Sequence, residues 1–399
     1  MASQTSDAAG IRRRTHEFLA AHPPATTDPL AFHRARFDAG LAWVHYPEGL
    51  GGLGASRALQ PVVDAEMDAA GAPGGNGPET NGIGLGMAAP TILRYGTEEQ
   101  KRRFLRPLWC GEEIWCQLFS EPGAGSDLAG LATRAVRDEA GDWRVTGQKV
   151  WTSSAHNADF AILIARTDPD VPKHRGITYF LCDMRAEGVE VRPLRQITGE
   201  AEFNEVFLTG VRIPDAHRLG DLGDGWRVAQ TTLNNERVAI GGGDVPREGG
   251  HIGLVSAVWR ERPELRTPEL HQRLLALWAE AEALRLSGAR LRQQLVAGQP
   301  GPEGSAMKLG FARLAQEISG LGLELMGEEG LAYDDWTQVR PERVDFLGRE
   351  AGYRYLRAKG NSIEGGTSEI LLNIIAERVL GLPSEPRTDK DAAWKDLPR

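Results

Sequence analysis

Cysteine is scarce in this 399-residue chain. Only Cys110, Cys116 and Cys182 occur, an odd number with no CxxC among them. Neither a disulfide framework nor a thiolate zinc site is implied. Long apolar runs are missing too. The longest tight one, Phe160 to Ala165, is closed off by Asp159 and Arg166 and falls far short of the ~20 residues that span a bilayer. Met1 to Gly10 is small and polar without an apolar signal core, so a cytoplasmic location is the expectation. Positive charge is in deficit: 46 basic against 55 acidic residues give a net charge of −9. A nucleic-acid binder needs a concentrated basic face, and the short cluster Lys101-Arg102-Arg103 reads as a solvated helix face instead. The sequence has no GxGxxG after a strand and no GxxxxGK[ST], HExxH or GxSxG, and its nine histidines show no paired-ligand spacing. No metal site is expected.

What is present falls into zones of different periodicity. From Ile11 to Gly111 the pattern is helical, broken by Gly- and Pro-rich stretches at Pro47 to Gly54 and Ala70 to Gly77. Thr97-Glu98-Glu99-Gln100 reads as a capping box, in which the threonine hydroxyl and the glutamine side chain each satisfy an amide at the helix start. From Trp115 to Pro214 short strands take over: Trp143 and Val145, Phe160 to Ile164, Ile177 to Leu181, Val189 to Val191, and Glu205 to Leu208. From Gly225 helices return with a clean 4-3 spacing. Leu270, Leu274, Leu277, Ala281, Leu284, Gly288, Leu291 and Leu295 form one seam, and Met307, Phe311, Leu314, Ile318, Leu321 and Leu325 another. A turn at Gly298 to Ser305 separates them, and Ile370 to Leu380 adds a third apolar helix, which favours a bundle over a free coiled coil. The fold class read here is mostly α with a central β domain. The expected organisation is a helical domain over 1–114, a small β-barrel-like domain over 115–218, a four-helix bundle over 219–383, and a polar, extended tail over 384–399.

Three segments stand out as candidate chemistry. Phe119 to Gly130, FSEPGAGSDLAG, combines small residues and hydroxyls that let a backbone approach a ligand; taken alone it is also a plausible surface loop. Gln148 to Ser154 places an aromatic before three hydroxyls on a strand, a pattern shared with core packing at a polar edge. Asn361 to Ile370 runs two glycines into a capped helix start, which presents free amides and the positive dipole end; an isolated Gly-Gly there is more often a plain turn.

Together, and in this order, the three segments resemble the acyl-CoA dehydrogenase family over nearly the whole chain. Phe119 to Gly130 matches the family's first signature, Gly147 to Ser153 its flavin-ring segment, and Gly365 to Pro383 its C-terminal signature, including Ile374 to Arg378 and Gly381-Leu382-Pro383. Asp224-Gly225-Trp226 and Asn235-Glu236-Arg237 are also similar. The family's order of helical, β and bundle domains agrees with the zones read from periodicity.

The resemblance implies FAD as cofactor and removal of the pro-R α-proton of an acyl-CoA thioester, with the β-hydrogen passing to flavin as hydride, to give a trans-2-enoyl-CoA. Such a site needs a carboxylate base and donors for the developing enolate oxygen. Two glutamates compete for the base. In one branch of the family it precedes the Gly-Thr of the C-terminal signature, where this chain has Gly365, with Glu364 one residue early. In another it precedes an arginine on a bundle helix, which Glu236 before Arg237 fits without any shift, so Glu236 is preferred. By the same resemblance Gly365 offers its N–H to the thioester oxygen. Phe119, Ser120, Gly125 and Ser126 line the cofactor, with Ser126 also near the pantetheine. Trp151, Thr152 and Ser153 pack on the isoalloxazine, Thr367 and Glu369 meet FAD at a helix start, and Asn234, Asn235 and Arg237 border the acyl-CoA. The expected electron acceptor is an electron-transfer flavoprotein. Many family members carry Arg-x-x-Phe-Gly early in the bundle, reaching FAD in a neighbouring subunit. Pro246 to Pro268 contains Trp259-Arg260-Glu261-Arg262 and no such motif. That leaves open a homo-oligomer or a heterotetramer with a sibling chain, as in steroid side-chain dehydrogenases. A half-site partner subunit, or an oxidase or monooxygenase on the same fold, is the alternative function.

Overall fold

The computed structural model describes residues 7–74, 77–241, 246–296, 302–333, 336–342, 345, 347–386 and 389–398. The turn at 297–301 and the side chains of residues 237–240 lie outside the described residues, and with them the expected role of Arg237.

Six helices come first: α1 (Ala8–Ala21), α2 (Pro29–Asp38), α3 (Gln60–Ala69), α4 (Pro78–Ile83), α5 (Ala89–Tyr95) and α6 (Glu98–Cys110). The capping box forms as expected. The amide of Gln100 donates to Thr97 Oγ1 at 3.2 Å, and the Thr97 amide donates to Gln100 Oε1 at 2.9 Å. The Gln100 side-chain amide then reaches the carbonyls of Ala216 and Arg218, at 2.7 and 2.9 Å, and so ties this helix start to the β domain.

Eight strands follow: β1 (Trp115–Leu118), β2 (Arg134–Arg137), β3 (Trp143–Ser153), β4 (Phe160–Arg166), β5 (Ile177–Asp183), β6 (Val189–Pro193), β7 (Phe203–Ile213) and β8 (Arg218–Leu219). They form one sheet in the order β6-β7-β3-β2-β4-β5-β8, with β1 also paired to β4. Strand β4 is buried along its whole length, and its period of two divides its side chains between two cores. Phe160, Ile162 and Ile164 join Trp115, Tyr179, Phe104 and Leu108 on the side of the N-terminal helices, while Ala161, Leu163 and Ala165 join Phe180, Val206 and Leu208 on the other.

The remaining helices are α7 (Gly225–Gly241), α8 (His251–Glu261), α9 (Pro268–Val296), α10 (Gly304–Met326), α11 (Ala351–Ala358) and α12 (Ser368–Ile374). Leu274, Leu277, Leu314, Ile318, Leu321 and Leu325 close a third core between α9 and α10, as the 4-3 spacing predicts. The Ile370 to Leu380 stretch differs from its expectation. Only Leu371 is buried there, whereas Leu372, Val379 and Leu380 are exposed. The tail also differs: residues 389–398 are pinned to the β domain. No described helix is long and apolar enough to cross a membrane.

Candidate active site

The first two sequence segments meet on the edge of β3. The Val150 amide donates to the Ser120 carbonyl at 2.9 Å. Beneath them lies a buried ion pair that the sequence did not announce. Lys149 Nζ donates to Glu121 Oε1 at 2.8 Å and to the Phe119 carbonyl at 2.9 Å. Glu121 also accepts from the amides of Ala132 and Thr133, at 2.7 and 2.9 Å. Burial opposes its charge, but Lys149 and these N–H donors hold the carboxyl below its usual range. The loop from Phe119 to Gly130 is thereby closed on itself and locked to β3. Phe119 is a core residue, edge-on to Tyr179 at 5.8 Å, while Gly125 and Ser126 are exposed at the loop's tip.

Strand β3 changes register against β7 between Lys149 and Thr152. Trp151 takes φ 59° and Ser154 φ 52° at this irregularity. A tryptophan in the left-handed region costs on the order of 1–2 kcal/mol, and such strain collects at functional sites. Its effect is to turn the Trp151 ring outward, where it is 58% exposed. Thr152 is buried, with no hydrogen-bond partner for Oγ1 among the described residues. Its carbonyl accepts from Asn204 Nδ2 at 3.1 Å, and Asn204 is fixed in turn by Arg340 Nη2 at 2.7 Å. An open aromatic face beside an unsatisfied buried hydroxyl fits a planar polar heterocycle such as an isoalloxazine.

The third segment approaches through Phe203. The Trp151 ring sits edge-on to it at 5.8 Å, and the Arg357 guanidinium lies 5.5 Å from its centroid. Arg357 holds Glu364 with two bonds, Nη1 to Oε1 at 3.1 Å and Nη2 to Oε2 at 3.0 Å. It also stands 3.6 Å from the buried carboxyl of Glu202. Burial pushes the Glu202 carboxyl up to about 7; Arg357 pulls it back in part, and the charges of Glu364 and Glu200 raise it again. After Glu364 the chain turns through Gly365 and Gly366, with φ 63° and 97°, a conformation that glycine adopts without a Cβ penalty. Lys308, fully buried on α10, donates to the Gly366 carbonyl at 2.7 Å. Thr367 caps α12 by accepting from the Ile370 amide at 3.3 Å, and Glu369 is exposed in its first turn.

Helix α7 brings Glu236 in from another direction. Val228 and Thr232 are fully buried on one face, and a spacing of four puts Glu236 on that face one turn further along. Thr232 Oγ1 pairs with Tyr179 Oη at 2.9 Å and with Thr91 Oγ1 at 3.0 Å. Through Tyr179 the helix is thus tied to Phe119. Through α10, against which it packs, it is tied to Lys308 and the glycine turn. Glu236 and Asn235 are half-buried and Asn234 is exposed. Glu121, Glu202, Lys308 and Arg357 all escaped sequence reasoning. Glu202, Lys308 and Arg357 sit in segments of ordinary composition, and Glu121 in a loop singled out for its glycines and hydroxyls; only burial distinguishes the four charges.

Sequence models of the acyl-CoA dehydrogenase N-terminal, middle and C-terminal domains match residues 9–112, 116–211 and 223–380. The chain is 44% identical over 351 residues to acyl-CoA dehydrogenase FadE34 of Mycobacterium tuberculosis, covering 87% of this chain but only 45% of that protein. It therefore spans about half the length of that relative. It is 36% identical over 355 residues to acyl-CoA dehydrogenase IpdE1 of the same organism, covering 88% of this chain and 86% of the relative. Among solved structures, the Tcur3481-Tcur3483 steroid ACAD superposes with a TM-score of 0.72 at 27% identity, over 95% of this chain and 98% of that one. The ChsE4-ChsE5 complex from Mycobacterium tuberculosis gives 0.70 at 28% identity, again over 95% and 98%. With all three domains matched in order, the chain belongs to the acyl-CoA dehydrogenase family of FAD-dependent oxidoreductases.

Proposed function

We propose that the chain catalyses α,β-dehydrogenation of an acyl-CoA thioester, with Glu236 taking the α-proton. The observation that carries this assignment is the fate of its competitor. Glu364 is engaged by both terminal nitrogens of Arg357. Both of its oxygens are thereby committed to hydrogen bonds with that guanidinium. Glu236 lies half-buried on the α7 face that carries Thr232, one turn further along.

The residues fit FAD as argued from Trp151 and Thr152, with Phe119, Ser120, Gly125, Ser126, Ser153, Thr367 and Glu369 as its further neighbours. Bound FAD supplies the two-electron acceptor for the β-hydrogen. The protein's own part is proton transfer and charge stabilisation. The α C–H bond breaks, its proton passes to a Glu236 carboxylate oxygen, and the Gly365 N–H donates to the thioester oxygen as charge builds there. Lys308 fixes the carbonyl of the next residue, so the donor needs no reorganisation. Asn234, Asn235 and Arg237 border the acyl-CoA.

For partners, the reading is an oligomer with a sibling subunit and an electron-transfer flavoprotein as acceptor. The missing Arg-x-x-Phe-Gly and the exposed Leu372, Val379 and Leu380 support a subunit contact completed by another chain. Both similar structures are named for two chains, and one as a steroid ACAD, which suits the same reading, with a steroid-derived acyl group as the favoured substrate class.

The test is anaerobic stopped-flow bleaching of the flavin over a panel of acyl-CoA thioesters, with the sibling chain present. Glu236→Gln is expected to retain FAD and slow reduction by ~10² or more, the scale of a lost general base. Glu364→Gln should cost far less. A Glu236→Gln protein that bleaches at the wild-type rate sinks the assignment.

A further inference from the structure

Residues 389–398 contain a single short helical turn and little apolar surface. A terminal segment of that kind is ordered only where it is tied down. Here it is fastened along its length, to two loops of the β domain and to Arg166 at the end of β4. Trp394 is the centre of the attachment. Its indole Nε1 donates to the Gly130 carbonyl at 3.1 Å, and its ring stacks 4.4 Å from the Arg166 guanidinium. Arg166 is itself a buried hub that donates to the carbonyls of Leu131, Ala129 and Lys173, at 3.1, 2.6 and 3.0 Å. The backbone adds a bridge between Ala393 and Pro172, and the Trp394 amide donates to the Val171 carbonyl at 2.9 Å. Charges close the two ends. Lys173 Nζ lies 2.9 Å from Asp389 and 3.0 Å from Asp127, so one buried cation joins the tail to the loop's tip. Lys395 pairs with Asp170 at 2.6 Å.

We propose that the segment from Asp389 to Leu397 is a strap that positions the loop from Ser126 to Gly130, and that Trp394 is its positioning residue. The inference rests on the reading that this loop borders FAD and the CoA portion of the substrate. Gly125, Ser126 and Asp127 are exposed, and the far side of the loop is held by Glu121 and Lys149. The near side is held by Asp127 through Lys173 and by Gly130 through Trp394. Without the strap the tip keeps its fold and loses its fixed position, so ligands must pay the cost of ordering it.

The experiment uses the full chain with its sibling subunit and two probes, FAD on the deflavinated protein and free coenzyme A on the flavin-loaded one. Trp394→Ala is expected to weaken both by about tenfold, a usual scale for lost preorganisation. Trp394→Phe keeps a ring over Arg166 and should lose only about threefold. Lys173→Met, which cuts the link between Asp127 and Asp389 without touching the indole, should weaken coenzyme A in the same direction and decides the matter if Trp394→Ala does not fold. A purely structural tail would lower thermal stability in all three variants and leave both dissociation constants within about twofold; that result overturns the strap. A wild-type assembly that binds neither FAD nor coenzyme A overturns the functional reading and the strap with it.

Discussion

Glu202→Gln is expected to make the folded chain more stable, by an amount that grows with pH. The side chain is buried beside Arg357, and that guanidinium is already occupied by both oxygens of Glu364. Desolvation therefore prevails and raises the carboxyl from 4.5 to about 7. The sign follows from which state releases its proton first. Below about pH 4.5 the group is protonated in both states and the raised value costs nothing. Between 4.5 and 7 the unfolded chain ionises while the folded one does not, so stability is lost as pH rises. Above 7 the loss is complete. At ~1.4 kcal/mol per pH unit this interval amounts to ~3 kcal/mol, of which roughly two fifths is already lost at pH 5.5. Glutamine has the same shape and no charge at any pH, and Arg357 keeps Glu364 as its partner. An unfolding entropy of ~2.1 cal/mol/K per residue over 399 residues is ~0.8 kcal/mol/K. The variant's Tm should then exceed wild type by ~4 °C at pH 8 and by ~1–2 °C at pH 5.5. Differential scanning calorimetry at the two pH values reads both. A Tm difference that is zero or negative at pH 8, or that does not change with pH, refutes the argument that Glu202 is held as a neutral acid.

Two further substitutions probe the turn and the flavin-ring strand. Lys308→Met removes the buried donor to the Gly366 carbonyl and should cost ~1–3 kcal/mol; flavin reduction should slow while the ratio of FAD to protein holds, as measured by stopped-flow and by absorbance. Gly147→Ala would place a Cβ 2.2 Å from Thr133 Oγ1 and 2.7 Å from its Cα, so overpacking of ~1–3 kcal/mol should lower the Tm, and an unchanged Tm would show that β2 and β3 part easily.

Much of this protein was legible in one dimension because the signals are local. A spacing of 4-3 fixes which face of α9 and α10 is buried, and a period of two along β4 divides its side chains between two cores. The capping box at Thr97 needs only residues three apart. The cofactor segments were visible because glycine, hydroxyl and aromatic residues stand together in runs with few other uses. The tertiary structure alone decided how charges are spent. Lys149 and Glu121 are 28 residues apart, Lys308 and Gly366 are 58, and Glu202 and Arg357 stand further apart still, yet each pair meets inside the protein. Sequence presents Glu364 and Glu236 as two carboxylates near glycine or arginine; only packing shows that Arg357 engages Glu364 through both terminal nitrogens. The tail read as a polar extension because a single tryptophan carries no periodicity. Its place against Arg166 depends on a strand more than two hundred residues earlier, and no local pattern encodes a contact between groups that far apart in the chain.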